Sequence, residues 1–339
     1  MHTKLLKNTI EQLFANGKGI LAMDESTPTI DKRFSANGIP QTVEMRRKYR
    51  ELIATTAGLN ESIGGAILYD ETIRQQTKNG EPMASVLMNA GIIPGIKVDM
   101  GAKALAGFPN EKITEGLDGL RERLVDYRNM GARFAKWRAV ITIGDGIPTK
   151  TCIDANAHAL ARYAALCQEA GLVPIVEPEV LMDGNHSLQR CYEVTEHALK
   201  ALFEALYYFR VDLQGIILKP NMVLPGKECS DKNSIDEVAA ATVKCFLSAV
   251  PAAVPAIAFL SGGQSPQQAS QHLHAINKDY KDHLPWIVAF SFARAIQQPC
   301  LEAWKGKDAN VEIAQKLLYH RAKLSAAARR GEYKSSMEE

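Results

Sequence analysis

The 339-residue chain has no excess of either charge. Lys and Arg total 40 against 38 Asp and Glu, a formal net charge of +2. Duplex-nucleic-acid binders carry a strongly basic face, so nucleic acid is not an expected partner, and any affinity for anions must come from local clusters. Cysteine is sparse and scattered. Cys152, Cys167, Cys191, Cys229, Cys245 and Cys300 form no CxxC pair, which excludes a zinc ribbon and a small disulfide scaffold and fits a reducing compartment. Long apolar runs are missing: the most apolar stretch, 249–260, is interrupted by Pro251 and Pro255, so no membrane span is expected. The opening MHTKLLKNTIEQLF carries charges where a signal peptide has its apolar region. Without such a signal the Asn-x-Ser sequons at Asn60 and Asn185 carry little weight, and the expected location is cytoplasmic. GxxxxGK[ST] is absent. GKGILA at 17–22 loosely matches a dinucleotide fingerprint, but it precedes an apolar run, whereas the fingerprint follows a strand and opens a helix. No linker or low-complexity run divides the chain, so a single domain over 1–339 is expected, with 331–339 as a loose polar tail.

What is present is a rhythm. Eight short apolar runs end in polar or charged residues: 19–24, 66–70, 95–99, 134–140, 173–179, 215–219, 256–261 and 287–291. Most gaps between them, including 42–57, 114–130, 151–170, 188–209, 234–250 and 265–276, hold apolar residues at three- and four-residue spacing. Gly131 and Gly171 stand where C′ glycines would end two of these helices. Strands alternating with helices imply a parallel sheet. Eight such units point to an α/β fold, a (β/α)8 TIM barrel, which needs about 250 residues. The surplus covers an extra N-terminal helix over 5–16 and a C-terminal helix over 308–328.

Buried parallel strands should be apolar on both faces. The departures cluster at the ends of the runs: Asp24, Lys97, Lys136, Arg138, Glu177, Glu179, Lys219, Ser261 and, just past the last run, Arg294. Barrel active sites lie at that end. Period-two alternation puts Lys136 and Arg138 on one face with Trp137 outward, and Glu177 and Glu179 on one face. Any one of these charges could simply be solvated. A buried mixed cluster is costly to desolvate and points to a task. Lys219 is the candidate nucleophile. A lysine condenses with a carbonyl only as the neutral amine, and at an ordinary pKa near 10.4 about one in 2,500 is neutral at pH 7. An apolar stem and a neighbouring cation such as Lys136 are the usual ways to favour that form. The competing reading is a structural ion pair between Lys219 and Glu177. SGGQSP at 261–266 follows the seventh run and opens a helix. Glycine-rich backbone at a helix N-terminus suits a phosphate, and Arg294 could add a bidentate contact; an ordinary turn capped by a serine is the alternative. Metal sites look poor. His272 and His274 do not face each other on a helix, His158, His197 and His320 read as helix-surface residues, and only His186, near Asp183, lies by the presumed mouth. Arg46-Arg47-Lys48 reads as a solvated helix face.

At this point the sequence resembles a known family, the class I, Schiff-base-forming fructose-1,6-bisphosphate aldolases. The resemblance lies in GKGILAMDEST (17–27), GIKVD (95–99), FAKWR (134–138), VPIVEPE (173–179), LKPNMV (218–223), FLSGGQS (259–265) and FSFAR (290–294), which span most of the chain in the family's order. It implies a (β/α)8 fold, a homotetramer, sugar-phosphate substrates, and no metal or other cofactor. It implies a lyase of glycolysis and gluconeogenesis that cleaves fructose 1,6-bisphosphate reversibly to dihydroxyacetone phosphate and glyceraldehyde 3-phosphate. Lys219 would form the Schiff base, Glu177 would be the acid/base for carbinolamine dehydration with Glu179 beside it, and Asp24 would take the C4 hydroxyl proton. Lys136 and Arg138 would support that chemistry and bind substrate. Ser261, Gly262 and Arg294 would hold the 1-phosphate; Lys97 and Arg33 would lie towards the 6-phosphate, with Ser26 lining that pocket and Thr29 standing where the family has a serine. Ala293 replaces a family glycine, and the chain ends in Ser-Ser-Met-Glu-Glu where the family has a tyrosine that assists proton exchange. Three other readings are a transaldolase or deoxyribose-phosphate aldolase with one phosphate site, a barrel scaffold that binds partners such as actin, and a metal-dependent aldolase.

Overall fold

The computed structural model describes residues 3–339; Met1 and His2 lie outside the described residues. In chain order the elements are α1 (Thr3–Phe14), β1 (Gly19–Ala22), α2 (Thr27–Ala36), α3 (Val43–Ala54), β2 (Ile63–Leu68), α4 (Asp70–Ile73), α5 (Met83–Asn89) and β3 (Ile93–Lys97). A small hairpin of β4 (Ala102–Ala104) and β5 (Lys112–Thr114) follows, then α6 (Leu120–Asn129), β6 (Phe134–Ile141), α7 (Lys150–Glu169), β7 (Val173–Val180), α8 (Leu188–Tyr208) and β8 (Ile217–Leu218). The chain ends with α9 (Ile235–Ala249), β9 (Ala256–Phe259), α10 (Pro266–Tyr280), β10 (Ile287–Phe292), α11 (Arg294–Trp304) and α12 (Val311–Arg329). The strands close in the order β1-β2-β3-β6-β7-β8-β9-β10, with β10 pairing back onto β1, and every barrel pairing is parallel. This is the expected (β/α)8 barrel with extra helices at both ends.

Alternation sets the faces. On β6, Phe134 joins the apolar cluster inside the barrel, while Trp137 points out, its ring 5.6 Å from that of Tyr163 on α7. On β7, Val173 and Ile175 are inside, so Glu177 and Glu179 continue the inward face. The inner cluster also takes Leu6, Ile10, Leu13 and Phe14 of α1. Spaced at i, i+4, i+7 and i+8, they form one helical stripe that plugs the N-terminal end of the barrel. At Gly64, a Cβ would stand 2.0 Å from the Leu13 carbonyl oxygen, so only glycine lets the helix approach. The floor is therefore apolar, and the charged residues gather at the opposite end.

Several expectations need correction. The segment 114–130 is not one helix: its start belongs to β5, and α6 begins only at Leu120, after Gly119 in a left-handed conformation. Four helices, α2, α4, α5 and α11, lie where none was expected. α4 and α5 are only four and seven residues long, α2 shows only Ile30 and Phe34 as a buried stripe, and α11 contains Pro299, which hides its pattern. Arg46 is no solvated face: it is only 7% exposed and pairs with Glu71 at 2.8 Å and Asp31 at 3.0 Å. The tail 331–339 is polar but not loose. Tyr333 is buried, donates to Glu338 at 2.8 Å, and Glu338 pairs with Arg321 of α12.

Candidate active site

The charged strand ends meet in one buried chain. Lys136 leaves β6 inward, two residues after Phe134. Its Nζ lies 2.7 Å from Asp24 Oδ2 and 3.3 Å from Glu177 Oε2. Glu177 Oε1 in turn lies 3.4 Å from Lys219 Nζ. Lys136 is only 4% exposed and Lys219 3%, so water does little to screen either cation. Lys219 stands one residue past β8, and its backbone N–H still donates to Val176 of β7 at 2.9 Å. That bond extends the strand just far enough to aim the side chain inward, and Pro220 then ends the ladder.

Electrostatics fixes the charge states of two members. Burial would raise the Asp24 pKa, but Lys136, Lys219 and Lys97 outweigh it and hold the group down at about 2. Burial would lower the Lys136 pKa, but Asp24, Glu177 and Asp99 push it well above the ordinary lysine range. Asp24 is thus a carboxylate and Lys136 an ammonium throughout the physiological range. Glu177 Oε2 faces Lys136 at ion-pair distance yet accepts no aligned hydrogen bond, leaving an oxygen free for a further donor.

Around this chain sit the remaining predicted residues. Arg138, opposite Glu177 in register, pairs through Nε with Glu179. Burial opposes its charge, but Glu179, Glu177 and Asp99 raise its pKa further above the usual arginine range. Lys97 is held by Asp99, 2.6 Å to Oδ1 and 2.8 Å to the carbonyl oxygen. Ser261 is buried. A Cβ at Gly262 would come within 2.9 Å of Glu179 Oε1, so this loop lies directly against the β7 carboxylates. Ser265 caps α10 through a reciprocal pair with Gln268, as the ordinary-turn alternative required, while the backbone from 261 to 264 stays outside that cap. Arg294 opens α11 and is exposed. Thr29 and Arg33 on α2, with Ser26 just before that helix, form a separate group. Arg33 pairs with Glu25 at 2.5 Å, and Ser26 Oγ lies 3.1 Å from Thr29 Oγ1. No direct contact links that group to Lys219.

Sequence reasoning passed over three residues, Glu25, Asp99 and Ser291. Glu25 is gripped by Arg33, by Arg50 at 2.8 Å and by Gln297 at 2.9 Å. Asp99 ties Lys97 to the Arg138 backbone N–H, which donates to its Oδ2 at 3.2 Å. Ser291 is 1% exposed with its hydroxyl unpartnered; alternation with Ala289 on β10 already marked it as inward. His186, the histidine that the sequence already set by the mouth, is buried with neither ring nitrogen hydrogen-bonded. Its pKa is lowered by burial and by Arg190, against Asp183. Among the described residues, no group of three His, Cys, Asp or Glu side chains is placed to hold a metal ion.

Fold and site together define a parallel eight-stranded barrel whose reactive groups are buried amines and carboxylates at the C-terminal strand ends. The family model of glycolytic class-I fructose-bisphosphate aldolases matches residues 5–339. A probable class 1 fructose-bisphosphate aldolase of Xanthomonas campestris pv. campestris is 56% identical over 335 residues, 98% of this chain and 100% of that protein. Cytosolic fructose-bisphosphate aldolase 4 of Arabidopsis thaliana is 50% identical over 318 residues, 94% of this chain and 81% of that one. The fructose-bisphosphate aldolase of Plasmodium falciparum, solved in complex with TRAP and a small-molecule inhibitor, superposes with a TM-score of 0.96 at 46% identity, over 98% of this chain and 96% of that chain. The chain belongs to the class-I fructose-bisphosphate aldolase family.

Proposed function

We propose that this chain cleaves fructose 1,6-bisphosphate reversibly into dihydroxyacetone phosphate and glyceraldehyde 3-phosphate, in glycolysis and gluconeogenesis, through an imine on Lys219. The neutral Lys219 amine attacks the C2 carbonyl, and the resulting carbinolamine loses water with Glu177 as the proton carrier and Glu179 beside it. The iminium is the electron sink. As the C3–C4 bond breaks, its electron pair moves into the iminium to form an enamine, and Asp24 accepts the C4 hydroxyl proton. Glyceraldehyde 3-phosphate leaves. Protonation of the enamine at C3 and hydrolysis of the iminium release dihydroxyacetone phosphate and restore the amine. Asp24 is ionised and ready to accept, and its low basicity is offset because the iminium pulls the electrons away. Lys136 holds Asp24 and Glu177 in one geometry, which is the proximity such a step requires.

Ser261, Gly262 and Arg294 take the 1-phosphate, with backbone N–H groups and a guanidinium at two helix starts. Lys97, Arg33, Ser26 and Thr29 lie towards the 6-phosphate, and Arg138 binds the substrate between the two. The single observation that carries this reading is the unbroken buried series Asp24–Lys136–Glu177–Lys219. Its test is borohydride reduction with dihydroxyacetone phosphate present, followed by peptide mapping. A stable adduct on Lys219, absent in Lys219→Arg, is expected; an adduct at another residue, or none, ends the proposal.

Three further readings belong with it. The chain works as one domain, which the closure of a single barrel between β1 and β10 supports. It is cytoplasmic, in keeping with cytosolic relatives, and no described helix is long and apolar enough to cross a membrane. It is a homotetramer. Tyr207 and Tyr208, 79% and 70% exposed at the end of α8, offer an aromatic patch of the kind association covers.

A further inference from the structure

We propose that Arg321 is a positioning residue that fixes the spacing between the two halves of the phosphate cradle, and that Glu338 in the carboxyl-terminal tail acts on that cradle through it. The proposal rests on the reading of Ser261, Gly262 and Arg294 as the cradle, and adds residues that touch neither substrate nor reacting atoms. Arg321 lies on α12 and is 4% exposed. Its Nη2 donates to the Pro266 carbonyl at 2.7 Å and to Ser270 Oγ at 3.0 Å. Its Nε donates to the Ala295 carbonyl at 3.2 Å. Pro266 follows the 261–265 loop directly, and Ala295 follows Arg294 directly. One buried guanidinium therefore clasps the first turn of α10 and the first turn of α11, the two helices that open immediately behind the two halves of the cradle.

The guanidinium is planar and its donors are fixed in a fork, so the separation of the two turns is set by a rigid group. A lysine ammonium at the same place is a point donor on a flexible stem and cannot hold both carbonyls in that geometry. The charge of Arg321 is answered by Glu338 through Nη1. Glu338 is itself held by the Tyr333 hydroxyl at 2.8 Å, and the Tyr333 ring lies 6.0 Å from that of His274 on α10. The tail is thus seated on the α10–α12 seam, and its carboxylate completes the coordination of the clasp. Loosening the clasp lets Arg294 drift from the loop amides. That weakens phosphate equally in ground and transition states, which raises KM and leaves kcat alone.

The test uses the full-length enzyme and the variants Arg321→Lys, Glu338→Gln, their double, and Arg294→Ala. The readouts are kcat and KM for fructose 1,6-bisphosphate, the inhibition constant of inorganic phosphate, and the rate of borohydride trapping with dihydroxyacetone, which carries no phosphate. In Arg321→Lys, KM and the phosphate constant should rise together by about tenfold, with kcat and dihydroxyacetone trapping within about twofold of the parent. Glu338→Gln should move the same two constants by about threefold, and the double variant should be no weaker than Arg321→Lys alone, because the residues act in series. Unchanged phosphate binding in the folded variants, an equal fall in dihydroxyacetone trapping, or additive effects in the double would each overturn the proposal. If Arg321→Lys does not fold, Glu338→Gln decides by the same readouts. A phosphate constant unmoved in Arg294→Ala overturns the cradle reading and the proposal with it. One that rises in Arg294→Ala but stays fixed in the Arg321 and Glu338 variants overturns this proposal alone.

Discussion

Lys136 carries the electrostatics of the site, because it pairs with both Asp24 and Glu177. Replacing it with methionine keeps the apolar length and strands two carboxylates in a buried place, so kcat should fall at least about 100-fold. Stability should respond with a definite sign. Asp24 has a folded pKa of about 2, below the ordinary 3.8. Its contribution, about 2 kcal/mol, is fully present above that ordinary value and is lost as pH falls through about 2. The gap in unfolding free energy between the parent and Lys136→Met should therefore be widest at neutral pH and narrow below about pH 4. Urea titrations across that range read it, and a gap that stays constant on acidification contradicts the account. Part of this was legible in residue types alone: alternation put Lys136, Arg138, Glu177 and Glu179 on inward faces. Their partners were not legible. The Asp24–Lys136 pair joins β1 to β6 across the barrel, the Glu25 cluster joins the β1 end to α3 and α11, and Arg46 looked like surface because Glu71 and Asp31 are distant in sequence.

Among the elements, α1 separates stability from chemistry most cleanly. It closes the end of the barrel opposite the charged cluster, with Leu13 wholly buried. Leu13→Ala should destabilise the fold by about 2–5 kcal/mol, the range for a leucine truncated in a core, while kcat stays within about twofold of the parent. Chemical denaturation and steady-state kinetics measure the two, and an equal loss in both would show that the barrel floor and mouth are mechanically coupled. Elements with long periodic stripes, such as α7, α8, α9 and α10, were readable at once. Four others were not: the stripe of α2 is only Ile30 and Phe34, Pro299 interrupts α11, and α4 and α5 are too short to show a period. The hairpin of β4 and β5 gave no signal of its own, since each strand is three residues long.

For the whole molecule, a net charge of +2 coexists with a mouth that gathers Lys97, Lys136, Arg138 and Lys219, because those cations are set among carboxylates. The exposed Tyr207–Tyr208 patch belongs to the same scale. Sedimentation velocity should find a four-chain particle, and Tyr207→Glu combined with Tyr208→Glu should shift it to a smaller one; an unchanged particle would remove that patch from the interface. By itself the sequence determined the eight barrel strands, most of the helices between them, the closed parallel barrel and the inward set of charges, because periods of two and 3.6 residues are local properties of a chain. Only the tertiary structure decided which charges neutralise one another, why Asp24 is held at about 2, and where the tail is seated. Those outcomes depend on distances of a few ångströms between strands and helices far apart in sequence, and on the water that closure of the barrel excludes from between them.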